Sequence, residues 1–341
     1  MSRLINTVLL VAAFMCAGTA FAGSDEDLMK KAKEALGPLP ASMPSEENPL
    51  TDAKVKLGKI LYYEARISID GTVSCAKCHP ISLYAVDGLR KAVGNNCRPN
   101  PRNSPTILNA AGQISAHWNG NRKNVEDQAK QALIGPPSFG MPSYEAVEKK
   151  LSSFKEYREL FASAFPGIAQ PVTADNFAKA VGAFERTLVT PSPLDAFLKG
   201  KKDALTESQK KGLQTFLDRG CAGCHSGPFV GGQLYRKFGV LEPYAKYTKS
   251  MSVDTGRYEV TKKDEDLFVF KVPVLRNVEK TSPYFHDGSV DSLGDAVGIM
   301  AKIQLGKDLS GQEISDITAF LASLTGTIPE EVLRVPLLPS E

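Results

Sequence analysis

Two five-residue segments carry the densest chemistry in this chain: Cys75-Ala76-Lys77-Cys78-His79 and Cys221-Ala222-Gly223-Cys224-His225. In each, two thiols stand three positions apart and an imidazole follows at once. On a helical turn this spacing brings both sulfurs to one side, where they reach the two vinyl carbons of one haem. The adjacent histidine then points a nitrogen at the iron. A CxxC pair can instead bind zinc or act as a redox dithiol. Two copies, both followed by His, in a chain that reads as exported, argue against those uses. The pattern predicts two covalent haems c. Cys75, Cys78, Cys221 and Cys224 are the anchors, and His79 and His225 are the proximal ligands.

A sixth iron ligand must come from elsewhere. The chain has four histidines, so only His117 and His286 remain. Beyond the second motif the methionines are Met251, in a polar loop, and Met300, in the apolar run Gly298-Ile299-Met300-Ala301. A thioether ligand raises a haem's reduction potential. Position alone leaves two fates open for Met300, axial ligand of the His225 haem or core filler.

The elements that must position these groups read as mainly helical. Leu57 to Tyr63 forms a helical patch ahead of the first motif, and residues 80–108, with several Pro, Gly and Asn, predict a long loop after it. Asn124 to Leu133 has helical patterning. Thr173 opens a helix with Phe177, Val181, Phe184 and Leu188 at helical spacing. Pro191-Ser192-Pro193 is expected to end it and begin a link. Thr206-Glu207-Ser208-Gln209 and Ser310-Gly311-Gln312-Glu313 are capping boxes that start two further helices. Strand signals are few. The expected fold is two tandem cytochrome c-type domains, 23–195 and 196–341, each enclosing one haem.

Bulk properties narrow the setting. The chain has 341 residues, 41 basic and 38 acidic, for a net charge of +3. That balance lacks the clustered basic face of a nucleic-acid binder. Arg3, the apolar run from Leu9 to Ala17 and Ala20-Phe21-Ala22 predict a secretory signal over 1–22, cleaved near Ala22. The run is too short to span a bilayer, and no other segment is apolar enough, so an integral membrane protein is not expected. Cys16 falls inside the signal and suits a lipid anchor poorly. Of six cysteines, Cys97 is left without a motif. It reads as a buried thiol, an intermolecular disulfide or a haem ligand.

Taken together, these residues resemble the bacterial di-haem cytochrome c peroxidases over nearly all of the mature chain. Specific landmarks are Leu57-Gly58-Lys59, Val86-Asp87-Gly88-Leu89, Pro101-Arg102-Asn103-Ser104-Pro105-Thr106, Phe270-Lys271-Val272-Pro273, Leu275-Arg276-Asn277-Val278 and Pro283-Tyr284-Phe285-His286-Asp287-Gly288. The resemblance implies that the N-terminal haem reacts with peroxide and the C-terminal one is a His225/Met300 electron-transfer centre. It implies a calcium ion between the domains, held by the Asn103 side chain and the Thr281 and Pro283 carbonyls; such oxygens suit a hard cation. It gives His286 a structural role, bonding a propionate or a carbonyl. It places Trp118 between the haems, as an electron route or as an aromatic wedge. Homodimers are common in that family.

The chain departs from the family around the N-terminal haem. Asn95 stands where members carry a distal histidine that leaves the iron on activation. Ser138 replaces the distal glutamate that moves protons, and His117 replaces a phenylalanine; the distal glutamine is kept as Gln128. Peroxide cleavage needs a base that takes a proton from one oxygen and returns it to the other. Serine does not ionise near neutral pH, whereas histidine can serve. His117 could therefore do the glutamate's task with Ser138 and Gln128 as helpers. It could instead bind the iron permanently, as could Cys97. If neither binds, Asn95 leaves the site open.

The expected function is a periplasmic peroxidase that reduces hydrogen peroxide to water with electrons from a small c-type cytochrome or a cupredoxin. The alternatives are a di-haem electron carrier, or a di-haem oxidase of another substrate. In relatives that modify a protein a tyrosine replaces the methionine ligand, so Met300 speaks against that version. Function belongs to the site and not to the fold.

Overall fold

A computed structural model describes residues 24–340 apart from 249 and 251. The predicted export signal and Met251 fall outside the described residues. Helices α1 (Asp25–Ala35) and α2 (Asp52–Tyr62) precede the single turn α3 (Cys75–Cys78). Then come α4 (Val125–Ile134), α5 (Tyr144–Ser153), α6 (Lys155–Ala164) and α7 (Ala174–Glu185). Helices α8 (Pro193–Leu198) and α9 (Glu207–Asp218) lead to the second cysteine motif. Beyond it lie β1 (Tyr235–Lys237), the short turns α10 (Ala245–Thr248) and α11 (Tyr258–Thr261), and β2 (Val269–Lys271). Helices α12 (Leu293–Leu305), α13 (Gly311–Ala322) and α14 (Glu330–Leu333) complete the chain. The mainly helical class expected from the sequence is what is found. The strands form one antiparallel ribbon with Tyr235 opposite Lys271.

Polar side chains set the helix starts by capping free backbone N–H groups. Asn124 accepts from the Asp127 amide and Thr173 from the Asn176 amide. Capping boxes at Thr206/Gln209 and Ser310/Glu313 start α9 and α13 as predicted. Pro191-Ser192-Pro193 needs correction. Helix α7 ends earlier, at Glu185, and Pro193 is the first residue of α8, with Ser192 as its cap. Proline suits a helix start as well as a stop, because the N–H it lacks would be unpaired there.

Two apolar cores form. The first is built from α2 and α4 to α7, with Leu57, Leu61, Leu133, Val147, Phe161 and Phe177 fully buried. The second joins α8, α9, α12 and α13, with Leu194, Leu213 and Phe320 fully buried, and it also takes Leu28 and Met29 from α1. Near the other end of the chain, Val332 of α14 packs with Tyr62 and Leu188 beside the first cysteine motif. Both ends thus cross to the opposite half. Beside the second core, Arg276 is fully buried and makes a two-pronged ion pair with Asp195 of α8 at 2.8 and 2.9 Å.

Each core turns on one close helix crossing. A Cβ on Gly58 of α2 would lie 1.9 Å from the carbonyl oxygen of Ala180 on α7. A Cβ on Gly212 of α9 would lie 1.8 Å from that of Asp316 on α13. Neither partner can yield, since both are helix backbone. Gly58→Ala and Gly212→Ala should each lower the stability of the protein by about 1–3 kcal/mol. Gly311→Ala, where a Cβ meets open space, should stay within about 0.5 kcal/mol of wild type. Chemical denaturation checks this; equal stability of all three variants would refute the crossings.

Candidate functional site

The two cysteine motifs each open onto a cavity. In the N-terminal one, α3 presents Cys75 and Cys78, and the His79 amide donates back to the Cys75 carbonyl at 3.0 Å, extending the turn by one residue. The phenol of Tyr62, buried in α2, donates to the His79 carbonyl. The imidazole's Nδ1–H donates to the Ala85 carbonyl at 3.1 Å. Nδ1 is thereby the protonated nitrogen and Nε2 is left as the ligating one. Ala85 and Tyr84 both adopt left-handed backbone, which turns that carbonyl inward.

The C-terminal cavity is built the same way from a 3₁₀ turn at Cys221–Gly223, with the His225 amide donating to the Cys221 carbonyl at 3.0 Å. His225 is buried. Its Nδ1 has no hydrogen-bond partner of good geometry, although the Pro273 and Val230 carbonyls lie close enough to favour the protonated ring. Met300, projecting from α12, lines this cavity together with Cys221, Cys224 and His225. Apolar groups such as Phe216, Phe238, Leu293 and Val297 make up much of the remaining wall. Each cavity therefore joins a thiol pair and an imidazole within one enclosure, and the second adds a thioether, a donor set that fits haem c. Among the described residues no group of three or more His, Cys, Asp or Glu could hold a metal ion directly.

The N-terminal cavity is the more polar of the two. His117, Asn121, Arg122, Gln128 and Ser138 all line it along with His79. Gln128 comes from α4, and Ser138 from the turn that follows it. His117 sits in left-handed backbone, φ 66°, a conformation a non-glycine residue seldom takes. Its Nδ1 lies 2.8 Å from Asn121 Oδ1. Burial holds the His117 pKa down to about 4, with the Asn121 bond acting the other way. The ring is therefore neutral at pH 7.

Asn95, at the family's distal-histidine position, and Cys97, the other ligand candidate beside His117, both lie away from the cavity. Asn95 is buried, but its side-chain amide donates to the Pro136 and Ser138 carbonyls at 2.6 and 2.7 Å. It braces the Ser138 turn and does not line the cavity. Cys97 is exposed and lines neither cavity, so the buried-thiol reading does not hold.

Trp118, Asn103, His117, Gln113 and Lys271 line both cavities, so they occupy the wall between them. The indole N–H donates to the Asn103 carbonyl at 2.9 Å. The Asn103 amide NH₂ donates to the Leu89 carbonyl at 2.8 Å, leaving its Oδ1 as an uncommitted acceptor. Thr281 and Pro283 line the C-terminal cavity that Asn103 also reaches. The Asn103 N–H donates to the His286 carbonyl at 2.7 Å, so two of the sequence landmarks meet here. His286 is stacked on Phe270 at 4.4 Å and edged by Tyr244, Phe238 and Trp118. Its ring makes no bond to a protein carbonyl, and Nε2 is buried without a hydrogen-bond partner. Arg102 clamps this wall from the N-terminal side, 2.7 Å from both Asp254 oxygens and from Glu259.

Sequence reasoning passed over Asn121, Arg122, Lys271 and Glu185. Lys271 was only part of a landmark. It is buried, donates to Gln113, and has its pKa pushed down to about 7 by burial. Its place between Phe270 and Val272 in a strand was the available signal. Glu185 lines the N-terminal cavity from the last position of α7, and burial pushes its pKa up to about 8.

Comparison with known proteins places this site in context. A sequence profile for the di-haem cytochrome c peroxidase family matches residues 52–203. The cytochrome c551 peroxidase of Pseudomonas aeruginosa is 43% identical over 86% of this chain and 84% of its own length. That of Nitrosomonas europaea is 38% identical over 90% and 88%. Among solved structures, a MauG-like protein associated with microbial copper homeostasis superposes with a TM-score of 0.76 at 26% identity, covering 87% of this chain and 95% of that one.

Proposed function

Because this chain belongs to the di-haem cytochrome c peroxidase family, and is an oxidoreductase of that class, we propose that it reduces hydrogen peroxide to water in the periplasm. The electrons would come from a small c-type cytochrome or a cupredoxin. The export signal read in residues 1–22 supports the location. The observation that carries the chemical reading is a neutral, half-buried imidazole, His117, in the same cavity as His79.

The family implies two haems c. Cys75, Cys78 and His79 would hold one, and Cys221, Cys224, His225 and Met300 the other. When bound, the haems supply the iron at which peroxide reacts and the store of electrons. The overall change is H₂O₂ + 2 H⁺ + 2 e⁻ → 2 H₂O. The protein's task is to move a proton between the peroxide oxygens and to keep the site open. His117 Nε2 accepts the proton from one oxygen and returns it to the other, whose bond then breaks. Gln128 and Ser138 offer an amide and a hydroxyl to hold the peroxide in place. With Asn95 and Cys97 directed elsewhere and His117 serving as the base and not as an iron ligand, no protein ligand would need to depart from the N-terminal site first. Trp118, in the wall between the cavities, is the natural electron route between haems. Asn103 Oδ1 with the Thr281 and Pro283 carbonyls would hold a calcium ion, whose charge would stiffen that wall.

His117→Ala should lower peroxide turnover by about 10²–10⁴-fold with both haems still attached; steady-state assays with a reduced cytochrome check this, and unchanged turnover would end the reading. Met300→His should lower the reduction potential of the C-terminal haem, since a thioether raises it. Spectroelectrochemical titration gives the value, and an unmoved potential would make Met300 a core residue.

A further inference from the structure

We propose that Asn121 and Arg122 complete a proton-transfer unit with His117 on the wall of the N-terminal cavity: Asn121 as a positioning residue that fixes the tautomer of the imidazole, and Arg122 as the cation that meets the departing peroxide oxygen. The inference rests on the reading of His117 as the base.

The three residues belong to one closed loop. The Ala116 amide donates to the Arg122 carbonyl at 3.0 Å, pinning residues 116 and 122 side by side as an isolated antiparallel bridge. The left-handed turn at His117 falls inside this closure, and Arg122 Nη1 donates to the Asn121 carbonyl at 2.8 Å. Backbone strain of this kind persists only where the surroundings enforce it.

Chemistry assigns the roles. An amide oxygen can only accept, so the 2.8 Å contact with Asn121 Oδ1 puts the imidazole hydrogen on Nδ1. Nε2 then carries the lone pair, and it has no hydrogen-bond partner among the described residues. Without that acceptor the ring would divide between tautomers, and the hydrogen on Nε2 would block proton uptake.

Arg122 is the second component. Its Nε is buried without a partner, and no carboxylate among the described residues pairs with it. The side chain is half-buried on the cavity wall, with this one nitrogen shielded and unpaired, so the guanidinium has donor capacity left for an anion that the cavity receives. As the O–O bond breaks, both bonding electrons leave with the far oxygen. A cation there stabilises that charge until the proton held on His117 arrives and water departs. The two electrons of the net reduction come from the haems and are replaced by the donor.

Two ligands of the ferric haem separate these roles from mere support. Hydrogen cyanide must give up a proton to bind, whereas nitric oxide carries none. In the holoprotein, Asn121→Leu should slow cyanide association by about 10-fold or more and leave nitric oxide association unchanged, while Asn121→Asp, which keeps an accepting oxygen, restores the cyanide rate. Equal cyanide rates in wild type and Asn121→Leu, or equal slowing of both ligands, would overturn the tautomer role. Loss of cyanide association in His117→Ala alongside normal Asn121 variants would defeat this inference and leave the base in place. Normal association in His117→Ala would defeat the base itself. For Arg122, fluoride affinity should fall about 10-fold or more in Arg122→Gln. Unchanged fluoride affinity with a shifted N-terminal haem potential would place Arg122 on a haem propionate and overturn its role.

Discussion

At Gly58 and at Gly212 a helix backbone rests directly on the carbonyl of a second helix, with no room for even one carbon atom between them. Each contact lies ahead of a haem motif. Helix α2 supplies Tyr62, whose hydroxyl holds the His79 carbonyl, and α9 runs straight into Cys221. The crossings therefore fix where the thiols and imidazoles can stand. A large rigid cofactor bound through two short covalent arms tolerates little drift in that placement. The same arrangement occurs twice in one chain, and it is the sense in which the halves repeat.

The wall between the cavities obeys a different constraint. It is polar and largely shielded, so most of its donors and acceptors pair locally, His286 Nε2 and Asn103 Oδ1 being the exceptions. Arg102 pairs with Asp254 and Glu259, the Trp118 indole N–H donates to the Asn103 carbonyl, and Lys271 donates to Gln113. The two halves are also tied by the crossing of α1 into the second core and of α14 to a place beside the first motif. A wall held this way keeps Trp118 in fixed relation to both cavities, as the proposed electron route through it would require.

Much of this was legible in the sequence where the signal is local. The CxxCH motifs, the capping boxes and the apolar stripe of α13 each depend on residues a few positions apart. The reading of Met300 as an iron ligand came from the resemblance, because a lone methionine in a helix is ambiguous by itself; the structure places it on the wall of the His225 cavity. The crossing of α1 and α14 to opposite halves was not legible; nothing in an amphipathic stripe says which partner it meets. Pro193 was misread because proline both ends and begins helices. Asn121 and Arg122 were overlooked because common polar residues acquire meaning only through the loop closure that brings them to His117. Asn95 was read as a departure from the family, and its tie to the Ser138 turn is a long-range contact that counting along the chain cannot show.

The central claim is that the N-terminal site stands open, with His117 as its base and no side chain that must leave. Peroxide turnover by the holoprotein, supplied with a reduced small c-type cytochrome, tests it most directly. It would be measured once as isolated and once after reduction of the high-potential haem alone. The account predicts rapid turnover in both states. Turnover only after reduction, or none in either state, would contradict it.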